Sequence, residues 1–216
     1  MNLGPIKLLI FDLDGTLLDS KIDITNSINR TLMRYGVPQI PSDGDLVWKF
    51  LGDGALYLVD RSFSYQKSSV PDGAVDFFVK DYEEHSLVQS RLYPHAREVL
   101  EKLDKFKKAI LTNKNQAVTE KICKGLDIAK YFDCIIGAGK YKKKPDPEGI
   151  LKILEYFKVA PRMTVMVGDT TNDLIAGERA NVKRIAVTWG VHERSVLEAQ
   201  KPDLIIDDME ELLESV

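Results

Sequence analysis

The sequence predicts an α/β protein: a doubly wound, Rossmann-like parallel sheet interrupted by an all-helical insert. Three observations carry this. Short apolar runs alternate with amphipathic helical patterns over most of the chain. One stretch near the N-terminus, residues 21–90, contains no strand run at all. Polar residues follow four of the apolar runs, at the strand ends where open α/β sheets bind ligands.

The first strand is expected over residues 7–11, a continuous apolar run ending at Phe11. Helices follow over 22–35, 45–51, 55–63 and 72–85. Gly36-Val37-Pro38, Gly52-Asp53-Gly54 and Ser68-Ser69-Val70-Pro71 punctuate them. A parallel crossover needs only about a dozen residues, so the excess predicts a separate lid. Residues 1–20 and 91–216 are thus assigned to an α/β core, and 21–90 to a helical cap. Tyr93-Pro94 restarts the core with a helix running to about Phe106. Strands are then expected over 109–112, 134–137, 164–168, 184–188 and 204–206. Helices over 116–126, 147–157 and 173–181 separate the earlier of these. Parallel sheets are covered on both faces, which accounts for the near-continuous apolar character of the runs.

Bulk properties exclude several classes. The chain has 216 residues, 44% hydrophobic and 29% charged, a composition that supports a real core without staples. A net charge of −3 argues against a general nucleic-acid binder. The only cysteines, Cys123 and Cys134, lack zinc-site spacing and read as reduced thiols of a cytoplasmic protein. No signal-peptide pattern and no membrane-length apolar stretch are expected.

Asp12 and Asp14 stand at the end of the first run, before Gly15. Burying unpaired carboxylates costs several kcal/mol, so such a pair serves a metal or a reaction more often than packing. Residues i and i+2 of an extended strand face the same side. Thr112-Asn113-Lys114 ends the second run, and Gly168-Asp169 ends the fourth, with Asp173 close behind. Lys144-Pro145-Asp146-Pro147 lies between the third run and its helix. The proline holds Lys144 extended, and Asp146 is placed to cap the helix. Thr112 and Asn113 suit either a phosphate site or a helix N-cap. Lys114 suits either a substrate-side contact or solvent. Asp173 suits a helix first turn on dipole grounds alone. His85, His95 and His192 show no paired spacing and read as surface or structural residues.

Taken together, Asp12-Leu13-Asp14-Gly15-Thr16, Thr112-Asn113, Lys144-Pro145-Asp146-Pro147 and Gly168-Asp169-Thr170-Thr171-Asn172-Asp173 resemble the four motifs of the haloacid dehalogenase superfamily of phosphohydrolases. The insert lies between the first and second motifs, where members with a helical cap carry it. Within the superfamily the chain is most similar to phosphoglycolate phosphatases and their relatives. The resemblance implies a Mg²⁺-dependent phosphatase acting on a small phosphorylated metabolite, with 2-phosphoglycolate the first candidate. Asp12 would be the nucleophile and Asp14 the general acid and base. Lys144 would neutralise charge, and Thr112 and Asn113 would bind phosphate. Asp12, Asp169 and the Asp14 main-chain carbonyl would ligate the metal, with Asp173 acting through water or orienting Asp169. Gly52, Asp53 and Gly54, with Arg61, are the cap residues expected near the substrate; a plain helix–helix turn explains the glycines equally well. A sugar phosphomutase is the second reading, disfavoured because residues 20–24 hold no histidine. Asp14 disfavours a dehalogenase. Pyrophosphatase, nucleotidase and non-catalytic phosphate-binding readings complete the set, and either a monomer or a homodimer is compatible with the sequence.

Overall fold

The structure, a computed structural model, describes residues 3–216. Strands β1 (Leu8–Phe11) and β2 (Leu18–Asp19) precede four helices: α1 (Lys21–Arg34), α2 (Asp45–Trp48), α3 (Ala55–Tyr65) and α4 (Ala74–His85). Next come β3 (Arg91–Leu92), α5 (Ala96–Lys102), β4 (Lys107–Asn115), α6 (Gln116–Gly125), β5 (Cys134–Ala138) and α7 (Glu148–Phe157). The chain ends with β6 (Thr164–Gly168), α8 (Thr171–Arg179), β7 (Lys183–Val187), α9 (Arg194–Glu198), β8 (Leu204–Ile206) and α10 (Glu211–Ser215).

Six strands form one parallel sheet in the order β5-β4-β1-β6-β7-β8. The chain leaves central β1 in both directions, which places the switch point at its carboxyl end. Alternation along β1 divides the core. Leu8 and Ile10 join Ile150, Ile153 and Met166 in one buried cluster. Leu9 and Phe11 join Val99, Ile122 and Val165 in the other. All four β1 residues are fully buried, so a helical layer on each face is required, as the expected βαβ repeat supplies.

Helices α1 and α3 both pack on α4. Ile24, Ile28 and Leu32 of α1, spaced one helical turn apart, share the larger core cluster with Leu58 and Phe63 of α3 and Phe78 of α4. The chain enters and leaves this helical layer through β2 and β3. These pair antiparallel, Leu18 opposite Leu92 and Asp19 opposite Arg91.

Several elements differ from expectation. The β2–β3 ribbon was not foreseen, because two residues per strand carry no periodicity. The five-residue helices α9 and α10 escaped for the same reason. Strand β4 runs to Asn115 rather than Thr112, since pairing with β5 resumes at Asn115 after a register shift. Helix α2 stops at Trp48, short of residue 51. Helix α5 stops at Lys102 rather than Phe106. The buried Lys108 ammonium reaches the carbonyls of Leu103 (2.5 Å) and Phe106 (3.4 Å) and satisfies the chain just beyond that helix end. Cys123 is buried and Cys134 half-buried, both as free thiols, and burial pushes the Cys123 thiol up to about 12. Among the described residues no helix is long and apolar enough to cross a membrane.

Candidate active site

The site is built on the carboxyl end of β1. Asp12 N donates to Val167 O (2.9 Å), extending the β1–β6 ladder by one residue. The chain then folds back: Leu13 O accepts from the backbone N–H of both Leu17 and Leu18, each at 2.9 Å. Gly15, at the tip, has φ +82, and a Cβ there would collide with the Asp169 carboxylate. Only glycine meets both demands at this position.

Asp12 is buried, and its Oδ1 lies 2.8 Å from Lys144 Nζ. The ammonium's aligned hydrogen bonds go elsewhere, to Asp173 Oδ1 (2.6 Å) and Leu111 O (2.7 Å). Asp12 Oδ1 is therefore a buried oxygen in ionic contact but without a hydrogen-bond donor among the described residues. Burial pushes the Asp12 carboxyl up to about 6; Lys144 opposes the shift and Asp173 adds to it. Burial also works against the Lys144 charge, but Asp12 and Asp173 outweigh it and hold the ammonium above the ordinary lysine range. Asp173 is fixed from its own helix as well. Its Oδ2 accepts from Thr170 N (3.0 Å) and Thr170 Oγ1 (2.6 Å), the reach-back half of a capping box.

Asp169 follows β6 directly. Thr16 Oγ1 and Val191 N each donate to its carboxylate at 2.8 Å. Trp189 Nε1 donates to Thr16 O (3.1 Å), tying the loop after β7 to the turn after β1. Gly190 passes so close that a Cβ would overlap the Asp169 side chain. Burial, then the charges of Asp12 and Asp173, raise the Asp169 carboxyl well above the usual range.

Asp14 occupies a neighbouring but separate position. Lys114 Nζ lies 2.7 Å from both of its oxygens, and Ser20 Oγ donates to it at 2.5 Å. Lys114 is thus neither exposed nor free. It also bonds Tyr82 Oη on α4 (2.9 Å) and sits 4.5 Å from that ring's centroid. Burial disfavours its charge, yet Asp14 and Tyr82 raise it to about 12.

The N-cap of α6 is Asn115, whose Oδ1 accepts from Ala117 N (2.9 Å) and Val118 N (3.3 Å). Thr112 and Asn113 are therefore not needed as caps. Asn113 Nδ2 donates to Lys144 O (2.9 Å) and Gly52 O (2.8 Å), while its Oδ1 accepts from Lys144 N (2.9 Å). One amide thus joins β4, the Lys144 loop and the 52–54 turn. A cavity of about 70 Å³ opens between these parts, lined by Asp12, Asp14, Thr112, Asn113, Gly52 and Gly54 among others. Asp53 does not line it. Its carboxylate bonds Arg61 and, at 2.8 Å, Asn172 Nδ2.

A family model described as haloacid dehalogenase-like hydrolase matches residues 9–187, from β1 to the end of β7. The chain belongs to that family. The hydrolase is 34% identical over 211 residues to the phosphoglycolate phosphatase of Aquifex aeolicus (strain VF5), covering 96% of this chain and 95% of that one. It is 33% identical to the phosphoglycolate phosphatase of Vibrio parahaemolyticus, covering 100% and 98%. A crystal structure from Haemophilus somnus 129pt, titled as a predicted phosphoglycolate phosphatase, superposes with a TM-score of 0.88 at 30% identity, covering 97% of each chain.

The family implies a divalent cation, and the hydrolase has a donor set that fits one. Asp12, Asp169 and Asp173, all buried, each offer an oxygen within 4.8 Å of the others. Burial raises the carboxyls of Asp12 and Asp169, and the charges of neighbouring carboxylates add to the shift, a crowding that a bound cation would relieve. The undonated Asp12 Oδ1 supplies a free lone pair. An all-oxygen set suits Mg²⁺. The sequence did not reveal the second layer of the hydrolase's site: Thr16, Ser20, Tyr82, Asn172, Gly190 and Val191. Thr16 and Asn172 lie inside the motifs quoted from the sequence, but nothing local gave either of them a partner.

Proposed function

We propose that the hydrolase is a Mg²⁺-dependent phosphatase that cleaves a small phosphate monoester through an aspartyl-phosphate on Asp12. The carrying observation is Asp12: the residue lines the cavity, and its Oδ1 is buried and undonated with Lys144 at 2.8 Å. An Asp12 oxygen attacks phosphorus as the bond from phosphorus to the leaving oxygen breaks. Asp14, two residues on, delivers the proton to that oxygen. It then takes the proton from the water that hydrolyses the aspartyl-phosphate. Lys144 offsets the charge of Asp12 and of the phosphoryl group. Thr112 Oγ1 and the Asn113 backbone N–H are the phosphate contacts. Mg²⁺, held by Asp12, Asp169 and the Asp14 main-chain carbonyl with Asp173 alongside, would screen the repulsion between carboxylate and phosphate.

Residues 21–90 serve as the cap, with Gly52 and Gly54 at the substrate and Asp53 bracing the turn. The relatives' names make 2-phosphoglycolate the first ester to assay. Residues 20–24 offer no histidine for a mutase's second transfer.

Hydrolysis of 4-nitrophenyl phosphate in Mg²⁺ tests the reading. Asp12→Asn should lower kcat by at least about 10³-fold. Asp14→Asn should slow both formation and breakdown of the phosphoenzyme. An Asp12→Asn protein that kept its activity would remove Asp12 as nucleophile.

A further inference from the structure

Lys114 is a buried cation to which the phosphatase reading gives no task, and the sheet is irregular where it places that residue. Strand β4 pairs with β5 through Leu111 opposite Ile136, then resumes with Asn115 opposite Ala138. From 111 to 115 is four steps on β4, against two from 136 to 138 on β5, and Thr112, Asn113 and Lys114 fall in the surplus. Bulges re-aim side chains beside functional sites. The neighbouring strand makes room with Gly137, where a Cβ would meet Lys114 O at 2.8 Å and Gln116 Cα at 2.6 Å, both backbone atoms.

At the end of this bulge Lys114 Nζ has three protons and three acceptors. Asp14 Oδ1 and Oδ2 each lie at 2.7 Å, and Tyr82 Oη of α4 lies at 2.9 Å. The Tyr82 ring is held in turn. It stacks on Phe78 of the same helix, centroids 5.9 Å apart, with Lys114 Nζ 4.5 Å from its centre. Ser20 Oγ also donates to Asp14 Oδ1. A carboxylate oxygen has two lone-pair sites, so Oδ1 is filled, and Oδ2 keeps one position open. That position holds a lone pair when Asp14 is ionised and the proton when it is not, so one oriented site serves both half-reactions. Asp14, Lys114 and Tyr82 all line the cavity.

Given the proton transfer proposed for Asp14, on which this rests, we infer that Lys114 is a positioning residue. It turns the open position of Asp14 Oδ2 towards the leaving oxygen, and Tyr82 fixes Lys114 from α4. A displaced α4 leaves one buried ammonium proton without this acceptor and loosens the aim of Asp14. Helix α4 is thus part of the catalytic arrangement as well as a wall of the cavity.

The test is kcat/KM, which covers the steps up to release of the alcohol, for 2,4-dinitrophenyl, 4-nitrophenyl and phenyl phosphate in Mg²⁺. The first alcohol leaves without a proton and the last needs one, so a fault in proton delivery makes the loss grow along the series. Lys114→Met should lower kcat/KM about 10²-fold for phenyl phosphate and less than about ten-fold for 2,4-dinitrophenyl phosphate. Tyr82→Phe keeps the ring and removes the acceptor. It should show the same trend more weakly, and it decides the matter if Lys114→Met does not fold. Asp14→Asn gives the reference trend. Equal losses for all three esters, or no loss, in the Lys114 and Tyr82 variants beside a growing loss in Asp14→Asn would overturn this inference and leave the phosphatase reading intact. A growing loss in Lys114→Met with none in Tyr82→Phe would remove α4 from the arrangement. Equal losses in Asp14→Asn would overturn the proton transfer and the role of Lys114 with it. No turnover of any ester by the unaltered protein would overturn the phosphatase reading as well.

Discussion

Lys144 shows what a single buried charge does here. It lies within 2.8 Å of one carboxylate and 2.6 Å of a second, with almost no exposure of any of the three. Removing one partner of such a set strands the others. Lys144→Met should therefore cost about 3–5 kcal/mol of stability, read as a lower urea midpoint with an unchanged m-value. Unchanged stability would mean that Asp12 and Asp173 do not depend on this ammonium. The residues whose chemistry is unusual for their place were legible in the sequence. Asp12, Asp14 and Asp169 stand at the ends of apolar runs, where packing alone gives no reason for charge, and Lys144 is marked by the prolines at 145 and 147. Lys114 was not legible, because its partners lie 100 and 32 residues away. Nothing local tells a buried lysine from a solvated one. Asp53 and Asn172, 119 residues apart, are the same case.

At the scale of elements, helix starts tie the fold together. His95 precedes α5 with φ +62, and its Nδ1 lies 3.1 Å from Asp208 Oδ1, near the start of α10. The hydrogen bond to Asp208 raises the His95 imidazole above its ordinary pKa. A raised folded-state value means that any stabilisation is fully present below the ordinary imidazole range, about 6.5. It is lost as pH rises through the raised value. In Asp208→Asn the imidazole should titrate lower, as followed by its ring-proton NMR shifts. An unmoved titration would show that Asp208 is not the cause. The longer elements were legible for the usual reason: ten or more residues of period 3.6, or an unbroken apolar run, outweigh local noise. The two-residue strands and five-residue helices were not, since their existence depends on partners such as Leu92 opposite Leu18.

For the whole molecule, the balance of charge links folding to ligand. Three buried carboxylates converge within 4.8 Å, and a divalent cation among them would offset their mutual repulsion. Mg²⁺ should therefore raise the Tm, since a ligand at 100 times its Kd adds about 2.7 kcal/mol to the folded state. Asp169→Asn should abolish that rise, as scanning calorimetry with and without Mg²⁺ would show. An equal rise in the variant would place the ion elsewhere. The fold class could be read because the strand and helix alternation repeats along the chain. The seam between core and helical layer could not, because Asn113, Gly52, Asp53 and Asn172 meet there only after folding.

The β2–β3 ribbon carries a different lesson. Residues 19 and 91 face each other, so the chain departs for its helices and returns at nearly the same point. To the sheet, the intervening residues are a loop closed by its own stem. The entropy of closing such a loop rises only with the logarithm of its length, about 0.6 kcal/mol per doubling. The sheet would accept a longer or shorter excursion at almost the same conformational cost. Under the proposed function, the helical insert that would select substrates is thus the part whose size the sheet least constrains, and substrate range would drift there while the chemistry proposed at β1 stays fixed.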